Sequence, residues 1–296
     1  MGLLNALTGA FRKRVNLQKR FDFHTKWIQG SAGVFHIVTD KSTKEKSGLK
    51  IIDGAKQDQF RKRFSNLNFP AEAEISLRMI HQNIVRTFET GRTSDDQEFM
   101  RMEYVDGPLL EEVIERRDPR MKANRTSRIR QIASAIMHVH EAGFIHRDIC
   151  PRNLICDRNL KTVKLFDFGL ALPDEAEFRQ PKNRTGTPLY MAPEIVRRRA
   201  TDHKVDIFAF GITAYQMLTF EHPWDVTENS GKSALLFDSR PPTDIREHIP
   251  KMKPRFAEAI HSCLEADASK RCNSMRRFLI ASGLYSSESS NTSKKQ

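Results

Sequence analysis

Between residue 22 and about 105 the apolar positions come in short runs of strand length: "GVFHIV", "GLKII", "NIVRTFE" and "EFMRMEY". They are rich in β-branched and aromatic residues and separated by polar, turn-forming positions, which predicts strands. One helical stretch, "PAEAEISLRMI", interrupts them, with Pro70 at a position suited to a first helical turn. After residue 108 the period changes. Ile129, Ile132, Ile136 and Val139 recur at steps of three and four, so this helix buries one stripe, and Gly143 suits its C-terminal cap. "VDIFAFGITAYQML" is apolar all round, the pattern of a helix enclosed by a core. The expected fold class is α+β. A small β-rich lobe over about 21–105 precedes a larger helical lobe over about 106–285, with a ligand-holding cleft expected between them. Residues 1–20 read as a basic leader, and "SSESSNTSKKQ", 286–296, as a disordered tail.

Composition narrows the function classes. The chain is 39% hydrophobic and 29% charged, as soluble globular proteins are, and no stretch approaches the ~18–20 apolar residues of a membrane span. At the N-terminus the basic cluster follows the apolar residues, the reverse of a secretion signal, and Ala6 stands where a myristoylation pattern needs Ser or Thr. Cys150, Cys156, Cys263 and Cys272 form no CxxC pair, which leads us to expect reduced thiols and a cytoplasmic setting. The net charge of +12 is partly gathered in "FRKRVNLQKR" (11–20), with five basic residues and no acidic one. That leader reads as a solvated helix able to contact anionic surfaces. No zinc-knuckle spacing or aromatic stripe marks a dedicated nucleic-acid module.

The chemistry concentrates in "FIHRDICPRNL" (144–154). Phosphoryl transfer needs a carboxylate to orient the attacking hydroxyl, a divalent metal on the phosphate oxygens, and a cation on the nucleotide. Asp148 suits the first task. Asn153, five residues on, offers an amide oxygen of the hard kind that Mg2+ prefers. A hairpin expected to turn near Asp157-Arg158-Asn159 returns the chain to "DFG", where Asp167 can meet the same metal. HRD, Asn, hairpin and DFG in this order make a specific signal.

On these motifs the sequence resembles the eukaryotic-type protein kinases, from about Phe21 to Leu284. The resemblance implies a two-lobed kinase fold, ATP and Mg2+ (or Mn2+) as cofactors, and transfer of the γ-phosphoryl group to protein substrates. "GTPLYMAPE" (186–194) resembles the end of an activation segment, and in "DIFAFG" Asp206 would brace the HRD backbone. Arg271 matches the arginine that pairs with the APE glutamate, here Glu194. Lys50 of "GLKII" would hold the α- and β-phosphates. Glu72 and Glu74 compete to position it; Glu72 shares a helical face with Ile75 and Met79 and is the choice. Met102 would be the gatekeeper, with the Glu103 carbonyl and Val105 amide pairing with adenine.

The resemblance is imperfect at two places. The glycine-rich loop reads "IQGSAGVF": Ile28 replaces the first glycine and Phe35 the valine, while Gly30 and Gly33 still allow backbone amides to approach phosphates. Cys150 stands where serine/threonine kinases carry a lysine. Arg152, two residues on, is expected to take over that charge, because a guanidinium makes fixed contacts to phosphate oxygens. The alternative is a surface arginine paired with an acid. Cys150 reads as a small hydrophobe, or as a redox switch if Arg147 and Arg152 lower its pKa. Thr187, after Gly186, resembles the serine/threonine type, whose hydroxyl bonds the catalytic aspartate. Arg152 and Arg184 favour acidic or neutral peptides over arginine-directed ones. Arg147 would capture a phosphate on the activation segment, and Thr185 is the candidate autophosphorylation site, with self-association as its route. A scaffold without catalysis and a tyrosine or dual-specificity kinase are the other readings.

Overall fold

The structure, a computed structural model, describes residues 14–24, 28–29 (backbone), 33–64, 66–181, 184–226 and 236–285. Most of the leader (1–13), Gly30 and the tail lie outside the described residues. The described residues fall into two compact units: one runs to Ile80 and adds Val85–Val105, the other holds His81–Ile84 and everything from Asp106 on.

The first unit is an antiparallel sheet. Its strands are β1 (Phe21–Phe23), β2 (Ile28–Gln29), β3 (Gly33–Asp40), β4 (Lys46–Ile52), β5 (Thr87–Arg92) and β6 (Glu98–Glu103). They are ordered β1-β3-β4-β6-β5, with β2 also on β3. Of the expected "NIVRTFE" run only Thr87–Glu89 joins the sheet, as the start of β5; Asn83 belongs to the second unit, its Nδ2 donating to Gln131 Oε1 (2.9 Å) and the Val163 carbonyl (3.0 Å). Strand alternation sorts β4. Leu49 enters a cluster with Leu17, Phe21, Val38 and Phe99. Ile52 joins Ala73, Met100 and Met102 on the other face, and Lys50, two residues from Ile52, shares it.

Among the described residues three α-helices accompany the sheet. The first, α1 (Leu17–Arg20), is capped by the Asn16 side chain, which accepts from Lys19 N. The basic leader expected over residues 1–20 instead ends inside the folded unit. Leu17 is buried in the sheet core, Val15 N donates to the Arg92 carbonyl (2.8 Å), and Arg20 grips Glu89 (2.7 and 2.9 Å) and Asp40 (3.0 Å). The second, α2 (Gly54–Arg61), has no counterpart in the sequence reading. Asp53 caps it, and Phe60, Phe64 and Phe69 pack edge to face beside it, at 5.7–6.4 Å between ring centroids. The third, α3 (Glu72–Arg78), begins two residues beyond Pro70, with Ala71 as N-cap. Pro70 therefore lies ahead of the first helical turn rather than in it.

The second unit is mainly helical: α4 (Leu110–Glu115), α5 (Arg125–Glu141), α6 (Pro193–Val196), α7 (Lys204–Thr219), α8 (Ile245–His248), α9 (Pro254–Cys263) and α10 (Met275–Ser282). The pairs β7 (Phe144–Ile145) with β10 (Leu172–Pro173), and β8 (Leu154–Cys156) with β9 (Val163–Leu165), complete it. The Ile129, Ile132, Ile136 and Val139 stripe of α5 is buried, and Gly143 follows its C-cap in the left-handed conformation (φ 82°). Almost every residue of α7 is buried. It runs so close to α9 that a Cβ at Gly211 would meet Cys263 Cβ and Leu264 Cδ2 at 2.9 Å. No described helix is long and apolar enough to cross a membrane.

Candidate active site

In the first unit the register of β3 on β4 sets Phe35 opposite Lys50, and that of β4 on β6 sets Lys50 opposite Met100. Lys50 is fully buried, and its ammonium pairs with the Glu72 carboxylate, itself 1% exposed at the side chain. An unpaired ammonium could not remain charged there, so the pair and its position on α3 hold each other. The Lys50 cation also lies 5.1 Å from the Phe35 ring centroid. Glu74 faces away; its Oε2 accepts from Ala71 N (3.2 Å) and closes the helix start. The sheet thus places Glu72, not Glu74, against the lysine. Glu103 ends β6, its N donating to the Arg86 carbonyl (2.8 Å), and Val105 closes the unit two residues later. Gly33 opens β3 where a Cβ would strike the Ile51 carbonyl at 2.3 Å, so packing alone requires glycine there.

In the second unit α7 organises the HRD loop. Asp206 is buried in the core; Oδ2 accepts from His146 N (2.8 Å) and Oδ1 from Arg147 N (2.7 Å). His140 Nε2 lies 2.9 Å from the same carboxylate. These contacts hold Arg147 in the left-handed region (φ 69°), a conformation that persists in a bulky residue only where its surroundings over-determine it. Burial drives the Asp206 pKa upward, but the bonds from His140 and from the HRD backbone outweigh it, and the net direction is down.

The braced loop delivers Asp148. Its Oδ1 accepts from both the backbone N (2.8 Å) and the hydroxyl (2.7 Å) of Thr187, and its Oδ2 accepts from Asn153 Nδ2 (2.9 Å). Asn153 Nδ2 also donates to the Asp148 carbonyl (2.8 Å). With its nitrogen held in this way, Asn153 keeps its oxygen for another partner. The chain then returns through β8 and β9, turning at Asp157, whose Oδ1 accepts from Lys161 N and Thr162 N. Phe166 N donates to the Asn153 carbonyl (3.1 Å), and His146 Nε2 lies 3.3 Å from the Phe166 carbonyl. Asp167, next in the chain, is left-handed (φ 65°), and Phe168 packs its ring 5.0 Å from His146. Asp148 and Asn153 are therefore bonded to each other, and the Phe166–Asn153 bond holds the residue just before Asp167 against the same loop.

Arg152 is no isolated surface residue. Its Nη2 donates to Thr187 Oγ1 (3.0 Å) and lies 3.6 Å from Asp148 Oδ2, while the side chain stays 48% exposed. Cys150 is enclosed, with Sγ 3.5 Å from the same Thr187 hydroxyl. The idea of a thiol activated by its arginines is overturned: burial, helped by the Asp148 charge, pushes the Cys150 pKa up to about 12. Arg147 is also enclosed and donates to Thr201 Oγ1 (3.2 Å); burial lowers its pKa to about 10. Thr185 is 9% exposed, so its hydroxyl is not presented to an outside kinase in this conformation. Gly186 (φ 122°) passes so near the HRD loop that a Cβ would meet the Arg147 carbonyl at 2.8 Å. Arg271 donates to both Glu194 oxygens (2.6 and 2.9 Å), pinning α6 at the end of the segment.

Among the described residues no group of three or more His, Cys, Asp or Glu makes a metal cage. One carboxylate with one amide oxygen fits hydrated Mg2+ on a phosphate, which takes one or two protein carboxylates and keeps its waters.

A β-sheet carrying a buried lysine–glutamate pair and a helical unit carrying this aspartate–asparagine loop together define a protein-kinase fold. The protein kinase domain model matches residues 24–279, and the chain belongs to that family. It is 31% identical to the serine/threonine-protein kinase pkn3 of Myxococcus xanthus, over 71% of this chain and 40% of that protein. It is 32% identical to the serine/threonine-protein kinase PrkC of Bacillus subtilis, over 70% of this chain and 30% of that protein. To the serine/threonine-protein kinase PAK mbt of Drosophila melanogaster it is 29% identical, over 86% and 38%. The chain thus spans roughly a third of the length of these curated relatives. The strap of residues 14–20 lies outside the matched region.

Proposed function

We propose that this protein kinase transfers the γ-phosphoryl group of ATP to serine and threonine hydroxyls. The observation that carries the reading is the Asp148 carboxylate: one oxygen is held by Asn153, and the other by the backbone and hydroxyl of Thr187. That hydroxyl bond is the feature of the serine/threonine type, and the names of the relatives agree with it. Asp148 orients the substrate hydroxyl and accepts its proton. Lys50, kept charged by Glu72, takes the α- and β-phosphates, while Gly30, Gly33 and the Ile28 and Phe35 positions cover them, and Glu103 and Val105 hold adenine. Asn153 and Asp167 supply the oxygens for Mg2+, which when bound neutralises charge on the phosphates.

Arg152 replaces the missing lysine. It sits on Thr187 beside Asp148, where the acceptor hydroxyl must arrive, and its charge meets the transferred phosphoryl oxygens. Arg152→Ala is expected to lower kcat about a hundredfold with little change in Tm, on the scale of losing one preorganised donor; an unchanged kcat would remove the role. Exposed Arg152 and Arg184 favour acidic or neutral peptides. Autophosphorylation at Thr185 in a self-associated pair requires the segment to open first, given its burial. Four free cysteines, three of them buried, accord with a reducing, cytoplasmic setting. The decisive experiment supplies radiolabelled ATP, Mg2+ and a generic protein substrate to wild type and Asp148→Ala. Label on serine and threonine from the wild type alone supports the reading; none from either overturns it.

A further inference from the structure

Two of the four cysteines lie together, away from the site described. Cys263 ends α9 and is fully buried; Cys272 is half-buried in the loop before α10. Cys272 N donates to the Ser262 carbonyl (2.9 Å), which brings the two residues side by side across a loop that is short in sequence. That loop carries Arg271, the partner of Glu194. Cys272 stands two residues before Ser274, the N-cap of α10, and the charge of Arg277 lies close by. A thiolate is favoured ahead of a helix N-terminus and near arginine.

We propose that Cys272 and Cys263 form a peroxide-reactive dithiol, with Cys272 as the attacked sulfur and Cys263 as its resolving partner. The Cys272 thiolate attacks one oxygen of a hydroperoxide. The O–O bond breaks, the leaving oxygen departs as alcohol or water after taking a proton, and Cys272 becomes a sulfenic acid. The Cys263 thiol then attacks that sulfur, water leaves, and a disulfide remains. Two thiols have given up two electrons, which reduce one peroxide bond. Peroxide need not reach the buried sulfur, since only Cys272 meets solvent.

Electrostatics separates Cys272 from the other three cysteines, Cys263 included, whose pKa burial drives well above its ordinary value. Contact with the Cys263 thiol, more than any other influence, lowers the Cys272 pKa to about 6, whereas burial pushes Cys150 and Cys156 up to about 12. At neutral pH Cys272 is mostly thiolate, and the other three are thiols.

The test treats the full chain at pH 7 with about one equivalent of hydrogen peroxide, then maps peptides by mass spectrometry without reduction. The expected product is an intramolecular Cys263–Cys272 link that has lost two hydrogens and reopens with dithiothreitol. In Cys263→Ser, Cys272 is instead trapped by dimedone as a sulfenic acid. Should that buried substitution unfold the chain, Cys272→Ser must leave residues 263–272 unoxidised while the wild type forms the link. Alkylation of Cys272 by iodoacetamide should run at least tenfold faster than that of Cys150 at pH 7. First oxidation at Cys150 or Cys156, a link between two chains, or an unmodified Cys272 would each overturn the proposal.

Discussion

Lys50 and Glu72 show what one buried charge pair demands of its surroundings. Both side chains are essentially without solvent, so removing one leaves the other uncompensated. Glu72→Ala is expected to destabilise the chain by about 3–5 kcal/mol, whereas Lys50→Met combined with Glu72→Leu should recover most of that loss. Urea unfolding of both single variants and the double variant measures the coupling; additive losses would contradict it. The family resemblance implied Lys50 and a glutamate to position it, and helical spacing, which sets Glu72 on one face with Ile75 and Met79, chose Glu72 over Glu74. Cys150 was legible as the small hydrophobe its burial makes it, but not in its alternative reading as a redox switch, because a neighbouring arginine in sequence says nothing about burial. Its two arginines suggested an acidic thiol, and desolvation decided the opposite. Arg152 lay between these cases: its charge was readable, but its bond to Thr187 joins residues 35 positions apart.

At the scale of elements, long periodic segments were readable, and short ones supported by tertiary contacts were not. The α5 stripe and the apolar α7 each carry many residues of one pattern. By contrast, α2 has a mostly polar face and only Phe60 buried, and the 14–20 strap is held by a few separate anchors, Val15, Leu17 and Arg20. Packing between α7 and α9 leads to a sharp expectation. Gly211→Ala gains helix propensity of up to ~1 kcal/mol. It also forces a methyl group within 2.9 Å of Cys263 Cβ and Leu264 Cδ2. Neither atom is the end of a long flexible chain, so overpacking of about 1–3 kcal/mol should prevail and the variant should be the less stable in thermal unfolding. A second expectation concerns the segment 81–84. Its His81 ring stacks on His138 of α5 at 5.2 Å, accepts from Asn83 N at 3.1 Å, and lies 3.1 Å from Ser134 Oγ. Burial first, and the His138 charge second, lower the His81 pKa from 6.5 to about 4. Above pH 6.5 the ring is neutral in folded and unfolded chains alike, and its contacts count in full. As the pH falls from 6.5 towards 4, the unfolded chain binds a proton that the folded chain refuses, so stability declines. Tm followed over that window should fall less steeply in His81→Gln than in the wild type.

Over the whole molecule, 49 lysines and arginines against 37 acids leave a net charge of +12. Such a field draws anionic partners and repels cationic ones, over a distance set by salt: about 10 Å at 0.1 M and less above it. It acts on encounter more than on the chemical step, because Asp148 and Asn153 are buried and their mutual bonds are little screened. For an acidic peptide, KM should therefore rise several-fold between about 50 and 300 mM salt while kcat stays nearly constant. An arginine-rich peptide should show the reverse trend in KM. The exposed guanidinium of Arg152 combines both influences, so Arg152→Ala should flatten the salt dependence of KM and also depress kcat. Steady-state kinetics with paired acidic and basic peptides across that range separates the two effects. If the basic peptide has the lower KM at low salt, local acidic residues outweigh the global charge, and the preference inferred from Arg152 and Arg184 is wrong.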